Sequence, residues 1–165
     1  MGMFGINAFE CKATLYTDSG SFNTSTLSQV GLGIARLLSL PIENRSNPRG
    51  SLQHYGNNFV YISSFLVSQH QLFTAAQKAT GTSEADWTIQ KLTIEDWITQ
   101  CREAMAQGNM RAGAGLTYAM YMGEGKGGNY ETKAKEDREV LGLREENLDE
   151  VVARAFAEGQ KPKVF

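Results

Sequence analysis

The sequence is poor in the residues on which catalytic and metal chemistry is usually built. It has 2 cysteines and 2 histidines in 165 residues. Cys11 and Cys101 are far apart and form no C-x-x-C, which argues against a disulfide framework and a cysteine metal site. Cys101 falls on the inner stripe of a helical pattern, where a small core hydrophobe is expected. His54 and His70 lack ligand spacing, and no H-E-x-x-H occurs, so surface roles are expected for both. There is no G-x-S-x-G elbow and no Walker lysine-serine pair. Glu95 and Asp96 are adjacent, which on a helix turns them about 100° apart, so they read as helix-start carboxylates and not as an acid/base pair.

Charge of one sign is also missing. The formal net charge is -2, which gives no general attraction to nucleic acid or to an anionic membrane. No apolar run approaches the ~20 residues needed to cross a bilayer. The start, "MGMFGINAFECK", has no basic leader or cleavage site, and Ile6 breaks the myristoylation pattern. A cytoplasmic location is expected by elimination. The tripeptides Asn23-Thr24-Ser25 and Asn44-Arg45-Ser46 fit the glycosylation pattern, but without a secretory route they are coincidences.

What is present is globular: 41% hydrophobic and 21% charged residues, enough for one core, so residues 1–165 are expected as a single domain. "KATLYT" from Lys12 predicts a strand that ends at a turn. Leu27, Val30, Ile34, Leu37 and Leu38 recur at helical spacing before Pro41, and Gly31 and Gly33 suggest close packing of that helix. Residues 43–58 read as a long polar loop. "FVYISSF", 59–65, predicts a strongly buried strand, and Ser68 with Gln71 a capping box for a helix closed by Gly81.

Further along, "WTIQKL" predicts a strand, and Thr93 caps a helix whose inner stripe is Trp97, Ile98, Cys101 and Met105. A helix through "MRAGAGLTYAMYM" follows. Tyr118, Met120, Tyr121 and Met122 there either pack a core or line an apolar pocket. The run from Lys133 to Arg138, interleaved with acids, reads as a solvated helix face. Asn147 and Glu150 box a last helix with Leu148, Val151, Val152, Ala155 and Phe156 facing inward. The order of elements is α/β, with too few strands for a complete doubly wound sheet.

One motif invites a cofactor. Gly123, Gly125 and Gly128, with Lys126 between, match G-x-G-x-x-G. That pattern holds a pyrophosphate only after a buried strand and at the start of a packed helix. Here the preceding segment reads mainly as helix and the following one is highly charged, and Glu145 and Glu146, near the spacing of a ribose-binding acid, sit in a charged run. The readings are a phosphate cradle, a structural loop, or a loop that touches substrate or partner; the structural loop is favoured.

The ordered segments "STLSQVGLGIARLLSLP", "FVYISSFLVSQHQLFTAAQKATG", "WTIQKLTIEDW" and "YAMYMGEGKGGNY" with "EVLGLREENLDEVV" resemble the C-terminal half of fungal NmrA-like proteins. These belong to the isoflavone-reductase-like branch of the atypical short-chain dehydrogenases. The resemblance covers the chain from about Lys12 onward. It implies a partial, Rossmann-related α/β fold: the substrate-side portion, lacking the nucleotide-binding unit. NADP(H) or NAD(H) is implied for the family, with none held by this chain alone. The resemblance assigns no catalytic or cofactor-binding residue here, and no metal site is expected.

The function it implies is that of a truncated NAD(P)-dependent oxidoreductase-like protein, acting on or derived from an enzyme acting on a small fungal metabolite. A non-catalytic interaction or regulatory module is one alternative, and a cofactor-independent isomerase or cyclase another. A protein partner or a homo-oligomer is expected to cover the exposed sheet.

Overall fold

The computed structural model describes residues 3–159. Met1 and Gly2, on which the myristoylation reading bears, lie outside the described residues. The chain forms an α/β fold whose sheet mixes parallel and antiparallel pairs, and it divides into two compact units. The first contains the chain through Phe22, Val67–Asn129, and the chain from Asn147; the second contains Asn23–Leu66 and Tyr130–Glu146.

The first unit is organised by three strands, β1 (Ile6–Asn7), β2 (Lys12–Tyr16) and β5 (Thr88–Leu92), in the order β1-β2-β5. β1 runs antiparallel to β2, and β2 parallel to β5 in the register Ala13↔Ile89 and Thr14↔Gln90. Because side chains alternate across a strand, the row Ile6, Ala13, Ile89 lies on one face and the row Lys12, Thr14, Thr88, Gln90 on the other. The apolar row joins Phe73, Ala76 and Trp87 in a buried cluster. Helix α3 (Gln69–Thr80) brings Phe73 and Ala76 to it, and the Phe73 and Trp87 rings meet edge-on at 4.9 Å. The predicted capping box of Ser68 and Gln71 starts this helix, and Gly81 ends it in the left-handed conformation.

Helix α4 (Ile94–Ala106) starts on a capping box of Thr93 and Asp96, and buries Ile94, Ile98 and Cys101. Trp97 and Met105, predicted for the same stripe, are half-buried. Burial pushes the Cys101 thiol up, away from the thiolate that a nucleophile needs. Helix α5 (Ala112–Met122) packs against α4, and α7 (Leu148–Gly159) against α3. Met122 is fully buried and Met120 exposed, while Tyr118 meets the Phe4 ring at 5.1 Å and Tyr121 meets Phe22 at 6.0 Å. Phe22 is itself fully buried, so both tyrosines turn toward packing.

The second unit contains α1 (Leu27–Leu38), the single-turn helix α2 (Leu52–Tyr55) and α6 (Glu131–Leu141), with α1 against α6. Strands β3 (Ser21–Thr24) and β4 (Phe65–Ser68) pair as a separate two-stranded sheet, and the division into units falls across both. Residues 43–58 include α2 and a 3-10 turn at Pro48–Gly50, along with irregular stretches.

Here one expectation fails and another holds only in part. The strand predicted for 59–65 is not formed: residues 59–63 carry no regular structure, Phe59 is 82% exposed, and the strand begins only at Phe65. Side chains supply the backbone partners that a sheet would have given. The Tyr61 N–H donates to Asp137 (2.7 Å) and the Ile62 carbonyl accepts from Ser25 (2.9 Å), while the Ser63 hydroxyl accepts from the Asn23 amide (2.9 Å).

The charged run of α6, read as a solvated face, is so at Lys133, Lys135, Glu136 and Glu139, which are exposed, but not throughout. Arg138 has only 13% of its side chain exposed and joins Glu131 at 2.7 Å. Asp137 accepts from both Tyr55 and Tyr61, and Glu131 from Asn23. A charge pattern identifies a solvated face only where the neighbouring chain brings apolar groups of its own; this neighbour brings amides and hydroxyls.

Candidate functional site

The polar face of the first unit's sheet is open. Lys12, Thr14, Thr88 and Gln90 floor a cleft of about 330 Å³, which Asn7 and Glu10 border on one side and Trp97 closes on another. Glu10 and Lys12 pair at 2.8 Å at its exposed rim, and the ammonium together with its hydrogen bond holds the Glu10 carboxyl below the usual carboxylate range. Trp97 is fixed by its indole N–H, which donates to the Gly115 carbonyl (3.2 Å), and by Tyr16, whose ring centre lies 6.4 Å away. Burial, with the Cys101 thiol as a smaller contribution, pushes the Tyr16 phenol well above its ordinary value, so it is a neutral wall and not a base.

One residue that the sequence reading passed over sets this wall. β1 pairs only with Lys12 and Ala13 of β2, so beyond them that edge of β2 lacks a strand partner. Gln69, 2% exposed, takes the place of the missing strand. Its amide donates to the Thr14 carbonyl (2.8 Å) and to the Phe4 carbonyl (2.8 Å), and its oxygen accepts from the Tyr16 N–H (2.7 Å). A glutamine at the first position of a helix that follows a strand is unremarkable in sequence, and only its burial reveals the role.

The glycine motif lies elsewhere. The loop leaves helix α5, and α6 starts only at Glu131, beyond Tyr130. Gly125 and Gly127 adopt φ of 69° and 91° over open space, which is turn geometry. A Cβ on Gly128 would run into the Tyr121 carbonyl oxygen, so what approaches that glycine is the chain's own backbone. With no strand before it and its tightest glycine already in contact with peptide, this loop does not fit a dinucleotide pyrophosphate. It does pin the preceding β turn: Gly123 bridges to Ser19, and the Gly20 N–H donates to the Met122 carbonyl (2.9 Å).

The remaining candidates are not brought together. His54 and His70 are both exposed, at Leu52–Tyr55 and at the start of α3. Asp96 serves the cap of α4, with Glu95 beside it in the first turn. Glu146 accepts from the Thr26 (2.8 Å) and Ser64 hydroxyls, and Glu145 meets Arg138 at 3.4 Å. Asn23, of the first glycosylation tripeptide, is 1% exposed and holds the Tyr130 N–H at 2.8 Å. No group of three metal-ligating side chains occurs among the described residues. Nor is any of their helices long and apolar enough to cross a membrane.

No protein-family model matches the chain, and no solved structure does. Two fungal proteins are similar at low identity. The oxidoreductase poxI of Penicillium oxalicum is 28% identical over 163 residues, which cover 93% of this chain and 46% of the relative. The oxidoreductase aprR of Aspergillus flavus is 25% identical over 150 residues, 90% of this chain and 46% of that one. The chain therefore resembles fungal oxidoreductases along most of its length, and spans about half the length of the curated relatives it matches.

Proposed function

We propose that residues 1–165 correspond to the substrate-side, C-terminal domain of an NmrA-like, isoflavone-reductase-like oxidoreductase, working in the cytoplasm on a small fungal metabolite. The observation that carries this reading is the unequal sheet. Its apolar face is covered by α3, whereas on its other face Lys12, Thr14, Thr88 and Gln90 line an open cleft with Trp97 at the border. Such a cleft becomes a pocket when a second body faces it. The similarity to oxidoreductases about twice as long supports, as that body, a nucleotide-binding portion holding NADP(H) or NAD(H). The chemistry of the nicotinamide is hydride transfer, and the part of this chain is to orient substrate through Lys12, Thr14 and Gln90.

The test is calorimetric titration of this chain with NADPH and with NADH, alone and mixed with the separately expressed nucleotide-binding portion of a relative such as poxI. No saturable binding is expected from the chain alone. In the mixture, binding should be accompanied by protection of the amides of Thr14 and Gln90 from hydrogen exchange. Stoichiometric binding by the chain alone, or a mixture in which those amides are unaffected, overturns the reading.

A second reading, an interaction module without turnover, is favoured by the outer side of α1. Leu27 is 91% exposed, Leu38 69%, Ile34 49% and Leu32 42%, with Ile42 at 76% just beyond the helix. Apolar side chains gathered on one unit in this way mark a surface for protein contact. Sedimentation of the chain across a concentration series, compared with the double substitution Leu27→Ser and Leu38→Ser, separates self-association from a solitary chain.

A further inference from the structure

The second unit has a cleft of its own, of about 310 Å³, lined by one ammonium, that of Lys133, and by the carboxylates of Glu136 and Asp137. Its two carboxylates are both engaged. Glu136 pairs with Arg49 at 2.6 Å, and Asp137 accepts from the Tyr55 hydroxyl (3.0 Å) and the Tyr61 N–H (2.7 Å). Lys133 is different. Its ammonium donates to the Tyr61 hydroxyl (3.2 Å) and lies 4.8 Å from the centre of that ring. Among the described residues no carboxylate is within ion-pairing distance of it. A phenol oxygen and a ring face orient a cation but leave its charge uncompensated.

Beside this ammonium is an aromatic platform. Tyr61 stands between Tyr130, at 5.5 Å between ring centres, and Phe59, at 6.3 Å. Phe59 is 82% exposed in the same cleft, an apolar ring that the unit itself does not cover. The platform is held from behind, because the Tyr61 backbone is anchored to Asp137. Neither ring nor ammonium is needed for that anchoring.

From this juxtaposition we propose that the cleft is a binding site for a small aromatic carboxylate, its ring laid on Phe59 and Tyr61 and its carboxylate on Lys133. The volume is at the small end of ligand sites, which fits one or two fused rings. A single ammonium, without a guanidinium fork, suits a monoanion better than a phosphate, which is held by several donors. The site is in a different unit from the sheet cleft, and stands or falls independently of the oxidoreductase reading.

Three probes test it by amide chemical shifts: 1-naphthoate, the neutral 1-naphthalenemethanol, and inorganic phosphate. Naphthoate should shift the Tyr61 and Lys133 amides saturably at about millimolar concentration, at least about tenfold tighter than the alcohol. Lys133→Met keeps the apolar stem, and should reduce naphthoate to the affinity of the alcohol while leaving the alcohol unchanged. Phe59→Ala, at an exposed position, should weaken both. Equal affinity of acid and alcohol for the unsubstituted chain, the absence of saturable shifts, or phosphate binding tighter than naphthoate each overturns the proposal without recourse to a variant.

Discussion

In the unit that contains the three-stranded sheet, the hidden side chains are Ala13, Tyr16, Phe22, Phe73, Trp87, Ile98, Cys101 and Met122 with others like them, and among the described residues the one buried polar side chain is Gln69. In the unit of α1, α2 and α6 the hidden set includes Asn23, Gln29, Ser51, Ser63 and Ser64, and its buried apolar members are Tyr55, Ala134, Leu141 and Leu143. Seven large apolar side chains of that second unit are instead exposed: Leu27, Leu32, Ile34, Leu38, Ile42, Phe59 and Leu66. One unit is therefore held chiefly by removing carbon from water, the other by hydrogen bonds that replace a missing ladder. These differ in kind. Apolar burial is tolerant of detail, whereas a buried amide or hydroxyl is costly as soon as one partner is removed.

The contrast can be broken most forcefully in the first unit. Phe73→Ala opens a cavity beside Trp87 and should cost about 3–5 kcal/mol. Hydrogen exchange at the amides of β2 and β5 should read the loss. In the second unit Asn23→Ala removes the acceptor of the Tyr130 N–H and one bond each of the Ser63 hydroxyl and the Glu131 carboxylate. About 2 kcal/mol is expected, read at the amides of α6. If this change were neutral, the claim that polar bonds hold that unit would fail.

Alkaline titration sharpens the comparison further. Tyr16 and Tyr55, one in each unit, both have phenols pushed well above the ordinary value near 10, chiefly by burial. For Tyr55 the hydrogen bond and charge of Asp137 add to this, and for Tyr16 the Cys101 thiol adds less. Each group binds its proton more tightly folded than unfolded. Its contribution is therefore full below about pH 10 and is lost as pH climbs from there toward the folded value. Tyr16 and Tyr55 should ionise late in ultraviolet difference spectra. Asp137→Asn should move the Tyr55 transition downward and leave that of Tyr16 in place.

The smallest effect is expected on the outer side of α1. Leu27→Ser with Leu38→Ser should change the stability of the chain by no more than about 0.5 kcal/mol per site, because both side chains are already in water. A large loss in thermal denaturation would mean that the chain covers this face with a second copy of itself.

Local signals in the sequence were reliable where the neighbours in sequence are also the neighbours in space. The caps at Ser68 and Thr93, the strands from Lys12 and after Trp87, and the helix stop at Gly81 all depend on residues within one turn, and the structure has them. The helix 27–38 was legible by period but not by orientation. Gly33 is close against Ile62 as expected of a packing glycine, yet Gly31 faces open space and Leu27, Leu32, Ile34 and Leu38 are exposed. The failure at 59–65 has the same origin. Aromatic and β-branched content favours an extended chain, but whether a ladder forms depends on what lies alongside. Alongside Tyr61 is Asp137, 76 residues away in sequence.

For the sites the division is similar. The test of the G-x-G-x-x-G pattern needed only its flanks, because a pyrophosphate requires a strand before and a helix terminus after, and both can be judged locally. The cleft beside Trp97 was beyond reach, since it arises when a parallel pairing sets Thr14 beside Gln90 and when Gln69 completes an edge that no strand completes. The sequence by itself determined the alternation of strands and helices, the caps that bound them and the plain nature of the glycine loop, all set by interactions of short range. Only the tertiary structure decided which faces are covered. It closed the apolar side of one sheet, left Leu27 and Leu38 of α1 in water, and set the Lys133 ammonium against Tyr61, because burial is a property of what the rest of the chain brings alongside.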